Sequence, residues 1–156
     1  MPRKSAGLLP FRMTATGLEV LLVHPGGPFW ASKDNGVWSI PKGELVKDED
    51  PLAAARREFR EEVGAEPVGE TIPLEPVKQP GGKVVLAWAL QLDFDPSQLR
   101  SNTFSMEWPP RSGKQRNFPE IDKAAWFDLS AARQKILKGQ EPLLDQLLAK
   151  LSSEPL

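Results

Sequence analysis

Apolar residues gather early in the chain in two strand-like runs, residues 5–14 (SAGLLPFRMT) and 18–24 (LEVLLVH), with Gly17 suited to the turn between them. The second run is nearly all apolar, which predicts a strand buried on both faces rather than an edge. Pro25-Gly26-Gly27-Pro28 then breaks the chain. An irregular loop follows over 29–37, and Trp38-Ser39-Ile40 reads as a short strand leading into Pro41-Lys42-Gly43-Glu44. From Asp50 the period becomes helical, with Leu52, Ala55, Phe59 and Val63 on one stripe. Asp50 suits the N-cap, Pro51 the first helical position and Gly64 the residue just past the end.

Residues 68–79 and 82–94 predict a hairpin across Pro80-Gly81-Gly82, its second strand rich in Val, Leu and Trp. Residues 95–119 read as a long polar loop, and loops of that length in compact domains are usually functional or mobile. A final strand is expected over 124–128, then a helix over 130–138 capped by Asp128 or Ser130 and ended by Gly139. A last amphipathic helix over 141–151 carries Leu143, Leu144, Leu147, Leu148 and Leu151. There is no internal repeat and no linker. The pattern predicts one mixed α/β (α+β) domain over 1–156, with strands mostly in hairpins and helices on the sheet faces.

Composition narrows the chemistry. With 156 residues, 40% hydrophobic and 26% charged, the chain fits a soluble globular domain with a sizeable core. A net charge of −1 provides no global field for nucleic acid or membrane, so nucleic acid is not expected as a partner, although a local basic pocket stays possible. Cysteine is absent, which excludes disulfides, thiolate nucleophiles and zinc–thiolate sites. No run reaches the roughly 20 apolar residues of a membrane span, and the N-terminus lacks a signal-peptide core, so a cytoplasmic protein is expected.

The densest chemistry lies in Gly43–Ala65, GELVKDEDPLAAARREFREEVGA. On a helix Glu58, Glu61 and Glu62 fall within an arc of roughly 100°. Like charges at that spacing destabilise an isolated helix by a few tenths of a kcal/mol per pair. They border the apolar stripe, a position that suits a cleft better than a solvated face. Clustered carboxylate oxygens suit a hard cation such as Mg²⁺, which often shares them with substrate phosphates. Arg57 is a fixed cation beside them, suited to orienting a carboxylate by a bidentate hydrogen bond.

This stretch resembles the signature of the Nudix hydrolases, which runs Gly, five residues, Glu, seven residues, Arg-Glu, an apolar residue, any residue, Glu-Glu, any residue, Gly and an apolar residue. Gly43, Glu49, Arg57, Glu58, Phe59, Glu61, Glu62 and Gly64 all fall in place, and Ala65 fills the last apolar slot. The WSIPKGE run before it and the EIDKAAWF run after it extend the resemblance over most of residues 5–151. The resemblance implies an αβα sandwich around a mixed sheet. It also implies hydrolysis of a nucleoside diphosphate linked to a further group, with Mg²⁺ or Mn²⁺. It makes Glu58, Glu61 and Glu62 metal-binding, with one of them or a later acid deprotonating the attacking water. It makes the carbonyl of Lys42 a further metal ligand and assigns Gly43, Glu49, Arg57 and Gly64 to bracing the loop and helix. Glu120 lies where relatives carry a helper carboxylate, so it is either a further metal ligand or base, or a structural acid.

For substrate contacts, Lys42 suits a phosphate. Trp108, Phe104, Arg111, Lys114 and Arg116 share the long polar stretch. Stacking with arginine and lysine suits a nucleobase and its phosphates, and a mobile surface loop with incidental charge fits the same residues. His24 is read as structural, and Trp30, Trp38 and Trp88 as core or cleft lining rather than a dedicated base platform. Pro80 is read as part of a hairpin turn, although relatives that cleave ADP-ribose carry a proline near this spacing. The WSIPKGE run looks most like members that cleave dinucleoside polyphosphates. The chain has no tyrosine, which those members commonly use to hold the base, so Trp108 or Phe104 would substitute. A (d)NTP pyrophosphohydrolase, an ADP-ribose or nucleotide-sugar pyrophosphatase and a non-catalytic nucleotide-sensing domain remain open. An RNA 5′-end pyrophosphohydrolase would want a basic groove, which the net charge does not suggest.

Overall fold

The first two apolar runs pair as an antiparallel hairpin, β1 (Lys4–Thr14) and β2 (Gly17–Pro25), in the computed structural model, which describes residues 3–153. Next come β3 (Lys42–Glu44), α1 (Pro51–Val63), β4 (Thr71–Pro73), β5 (Val77–Lys78) and β6 (Val84–Gln91). Then follow β7 (Thr103–Glu107), β8 (Gln115–Pro119), β9 (Ile121–Asp128), α2 (Leu129–Lys135) and α3 (Pro142–Ser153).

The main sheet has the order β4-β6-β1-β2-β9, with β3 on β1 and β5 on β6. It is mixed: β1 runs parallel to β6 from Lys4↔Val84 to Phe11↔Gln91 and antiparallel to β2 and β3. Alternation explains how one sheet serves two cores. Ala6, Leu8, Leu21 and Val23 face Ala54, Ala55, Phe59 and Val63 of α1. Leu9, Phe11, Val20 and Leu22 face the layer of Leu143, Leu144 and Leu147 on α3. The result is the αβα sandwich with a mixed sheet that the sequence resemblance implies.

β1 also fixes the site. Its first half pairs with β3 through Ser5↔Glu44, Ala6↔Gly43 and Gly7↔Lys42. The strand that leads into the acidic helix is therefore stitched to the buried centre of the sheet. The helix punctuation is as expected: Asp50 accepts from the Ala53 N–H at 3.0 Å, and Gly64 closes the helix at φ 83° with its N–H on Arg60 O. Fully burying Phe59 contributes about 1.5–3 kcal/mol.

The expectations for three segments need correction. Residues 95–119 are not a structureless loop. After one 3-10 turn at Pro96–Gln98, β7 and β8 form a separate two-stranded ribbon. Its alternating apolar face is small, with Phe104 against Phe118 at 5.9 Å, and the strands pair only with each other, so the apolar pattern is thin. Trp38-Ser39-Ile40 contributes only isolated bridges, Val23↔Ser39 and Trp38↔Ile136, and the strand proper is β3. The helix expected over 130–138 spans Leu129–Lys135 with Asp128 as its cap, and Gly139 sits inside a 3-10 turn. Buried Gln140 explains that turn. Its Oε1 accepts from Ile40 N–H at 3.0 Å, and its Nε2 donates to Ser39 Oγ and Gln79 Oε1.

Candidate active site

β3 and α1 meet where Gly43 faces Glu58. A Cβ on Gly43 would stand 2.0 Å from the Glu58 carboxyl carbon, so the glycine leaves the space that the carboxylate fills. Glu58 is consequently only 9% exposed. Arg57 organises the acids around it. Its Nε and Nη2 donate to the two oxygens of Glu49 at 2.8 and 2.9 Å, a bidentate pair. Its Nη1 donates to Glu58 at 2.8 Å and to Glu61 at 3.1 and 3.2 Å. The hydrogen bonds from Arg57 hold the Glu49 carboxyl below its usual range. Those to Glu49 are the largest cause raising the guanidinium further.

Glu62 lies apart from Arg57 and accepts from the Lys42 backbone N–H at 3.2 Å. Burial, then the charge of Glu58, push its carboxyl up to about 8. Burial likewise raises Glu58, against the opposing pull of Arg57. Glu120 adds repulsion to both, which places its charge within reach of the pair. Burial lowers the Lys42 ammonium, and Glu62 partly offsets this. Among the described residues no three acidic or imidazole side chains converge on one point, because Arg57 draws Glu58 and Glu61 to itself. The donors are nonetheless all hard oxygens, and two of them, buried Glu58 and half-buried Glu62, are close enough for the charge of Glu58 to raise Glu62. That set fits a divalent cation.

Glu120 and the ribbon share one root. Asn102 N–H donates to Glu61 O and Glu120 N–H to Asn102 O, both at 2.8 Å. Arg100 N–H donates to Val63 O, and Arg100 O lies 2.5 Å from where a Cβ of Gly64 would be. The ribbon thus rises from the C-terminal end of α1. None of the hydrogen bonds or ion pairs among the described residues joins its expected contact residues to the acids of the site. Trp108 meets Phe29 edge-on at 5.7 Å, Arg116 lies over Phe118, and Arg111 and Lys114 make local bonds to Glu107 and Ser112 through their N–H groups.

A hollow of about 240 Å³ opens beside Glu62 and Lys42, walled by Pro25, Trp30, Val37 and Leu137. Trp30 is the one wall residue that the sequence marks as core or cleft lining; the hollow itself is not legible there, since Pro25 and Leu137 lie more than a hundred residues apart in the chain. Larger hollows of about 470 Å³ lie elsewhere, around Met13 and around Arg12, away from the carboxylate cluster. Trp38 is buried in the core and Trp30 is 41% exposed in the cleft wall. His24 is fully buried: Nδ1 lies 2.7 Å from Asp122 Oδ1, and Nε2 donates to Lys33 O at 2.6 Å.

The NUDIX domain family model matches residues 1–147. This chain belongs to the Nudix family. Its Nudix signature is the loop and helix just described, and it is a hydrolase acting on acid anhydrides. An RNA pyrophosphohydrolase of Rhodospirillum rubrum is 25% identical, the match covering 97% of this chain and 93% of that protein. One of Gluconacetobacter diazotrophicus is 49% identical over 41 residues, 26% of this chain and 22% of that protein. Among solved structures, a C. elegans Ap4A hydrolase binary complex matches with a TM-score of 0.64 and 24% identity, covering 97% and 99% of the two chains. The NUDIX domain of Shewanella oneidensis NrtR, complexed with ADP ribose, matches with a TM-score of 0.67 and 17% identity, covering 97% and 89%. At these identities the structural matches establish the fold. No helix among the described residues is long and apolar enough to cross a membrane.

Proposed function

We propose that this Nudix protein is a metal-dependent pyrophosphohydrolase that cleaves a phosphoanhydride in a nucleoside diphosphate-linked substrate, a dinucleoside polyphosphate or a (d)NTP. The observation that carries the reading is the carboxyl pair Glu58 and Glu62 at the foot of β3, both raised first by burial, with Glu58 held by Arg57 and Glu62 raised further by the charge of Glu58. Glu58, Glu61, Glu62, Glu120 and the carbonyl of Lys42 are the oxygens that would hold Mg²⁺ or Mn²⁺. When bound, such a cation neutralises anhydride charge and lowers the pKa of water. The residues do the rest. Arg57 orients Glu58 and Glu61 while Glu49 fixes Arg57. A carboxylate of the set takes the proton of the attacking water. The Lys42 amine, lining the hollow with Glu62, contacts the phosphates. Trp108, Arg111, Lys114 and Arg116 on the ribbon meet parts of the substrate further out.

An RNA 5′ end is the second reading. It is favoured by the match along nearly the whole chain to a protein named RNA pyrophosphohydrolase, and the three ribbon cations supply local basic character that net charge hides. ADP-ribose or a nucleotide sugar is a further alternative. A purely nucleotide-sensing domain is disfavoured by the intact glutamates. The deciding experiment is a substrate panel of dinucleoside polyphosphates, (d)NTPs, ADP-ribose and a 5′-triphosphorylated oligoribonucleotide, run in ¹⁸O-labelled water with EDTA and with Mg²⁺ or Mn²⁺. Turnover abolished by EDTA and restored by metal is expected. Metal-independent turnover would refute the mechanism, and no turnover on any member would sink the enzymatic assignment to nucleotides.

A further inference from the structure

The hollow beside Glu62 has a chemical character distinct from the acidic helix. Its walls are apolar, from Pro25, Trp30, Val37 and Leu137, and Lys42 and Glu62 sit at its polar end. Pockets for drug-sized ligands run about 300–1,000 Å³, so about 240 Å³ receives part of a nucleotide rather than all of it. The anhydride belongs with the acids and Lys42, which leaves the apolar slot for the base.

Trp30 is held ready for that contact. Its loop is tied at three places. Trp30 N–H donates to Gly27 O, Lys33 N–H to Trp30 O, and buried His24 holds Lys33 O from below. Asp34, next along, accepts from the Trp38 indole and pairs with Lys135. Lys33 Nζ sits 5.8 Å from the Trp30 ring centroid. A large aromatic with substantial exposure, on a loop fixed by backbone and side-chain hydrogen bonds, is preorganised to stack.

The slot is poor at reading what it holds. Ser39 carries the one hydroxyl of the lining, and it is spent: Oγ donates to Ile40 O at 2.6 Å and accepts from Gln140 Nε2 at 3.0 Å. The Ser39 backbone N–H and carbonyl are both paired with Val23. Stacking is sequence-tolerant because every base has a π-face, whereas sites that hydrogen-bond their substrate discriminate by about 10⁴–10⁵.

We propose that Trp30 is the platform on which the substrate's nucleobase stacks, and that the slot grips any of the four bases with little preference. This deepens the nucleotide pyrophosphohydrolase reading and rests on it. The test measures binding of the α,β-methylene diphosphates of adenosine, guanosine, cytidine and uridine, and of methylenediphosphonate, to wild type, Trp30→Phe and Trp30→Ala in the presence of Mg²⁺. The four nucleotides are expected to bind wild type within about tenfold of one another, the weak discrimination of an apolar pocket. Trp30→Ala should weaken each by about 5- to 150-fold, the loss expected for one stacked base. Trp30→Phe should recover most of that loss, and methylenediphosphonate should bind all three proteins alike. A spread among bases beyond about 100-fold, unchanged nucleotide binding in Trp30→Ala, or an equal loss for methylenediphosphonate would each overturn the proposal. The two readings fail separately. Turnover with no Trp30 dependence of binding sinks only the slot. Base-dependent binding without turnover on any panel substrate sinks only the catalytic reading.

Discussion

Arg57 commits one face of its guanidinium to Glu49 and the remaining nitrogen to Glu58 and Glu61. A lysine has a single ammonium and cannot reproduce that fork. Arg57→Lys should therefore lower kcat well below wild type while changing the melting temperature only modestly, checked by steady-state kinetics beside a thermal melt. Gly43 is constrained differently, by the Glu58 carboxylate in the place a Cβ would occupy. Gly43→Ala should displace Glu58, destabilise the fold by about 1–3 kcal/mol as overpacking does, and abolish most activity; unaltered kcat would contradict the role given to Glu58. Glu62→Gln keeps the shape and removes the charge. We expect activity to fall at least about 100-fold, the scale of losing acid–base or metal assistance, with the fold intact by circular dichroism.

The helix α1 shows which parts of an element are legible in a sequence. Asp50, Pro51 and Gly64 act on their own neighbours, so the helix ends, the stripe and the arc of glutamates were all readable in advance. Gly64 carries more than its cap, because Arg100 O and Cβ crowd the space where a side chain would be. Gly64→Ala should cost more than the roughly 1 kcal/mol of left-handed backbone alone, read as a lower urea midpoint. The ribbon was not legible, since β7 and β8 pair only with one another and each offers few apolar positions to set a period. The cleft loop is tuned by Asp34, whose carboxyl is held below its ordinary value first by Lys135 and then by the Trp38 indole. A depressed carboxyl contributes stability above its unfolded value, and that contribution is lost as pH falls through the lower folded value. Wild type should therefore lose stability below about pH 4, near the ordinary aspartate pKa, in a component that Asp34→Asn lacks when melts are compared across acid pH.

At the scale of the whole molecule, one sheet separates two tasks. The face carrying α1 holds the acids, and the face carrying α3 supplies a core of leucines that keeps β1 and β2 in register. The sandwich was readable because its alternation and helical stripes are long. The apolar slot was not, because Pro25, Trp30, Val37 and Leu137 come together only after β2 and α2 have packed. If the acids bind a cation only when folded, Mg²⁺ or Mn²⁺ at about 100 times its dissociation constant should stabilise the protein by about 2.7 kcal/mol. Calorimetry with and without EDTA measures this, and Glu62→Gln should lose most of the shift.

The bond from Glu120 N–H to Asn102 O closes the base of the ribbon, so residues 103–119 leave and rejoin the main fold side by side, with Phe104 against Gly27 and Trp108 against Phe29 as further contacts. They take no strand position in the main sheet. Such a segment can be exchanged like the head of a tool while the handle stays fixed. Its length, charge and aromatic content can drift with the substrate, and a chain in which 103–119 is replaced by a short glycine link should still fold and still answer to metal.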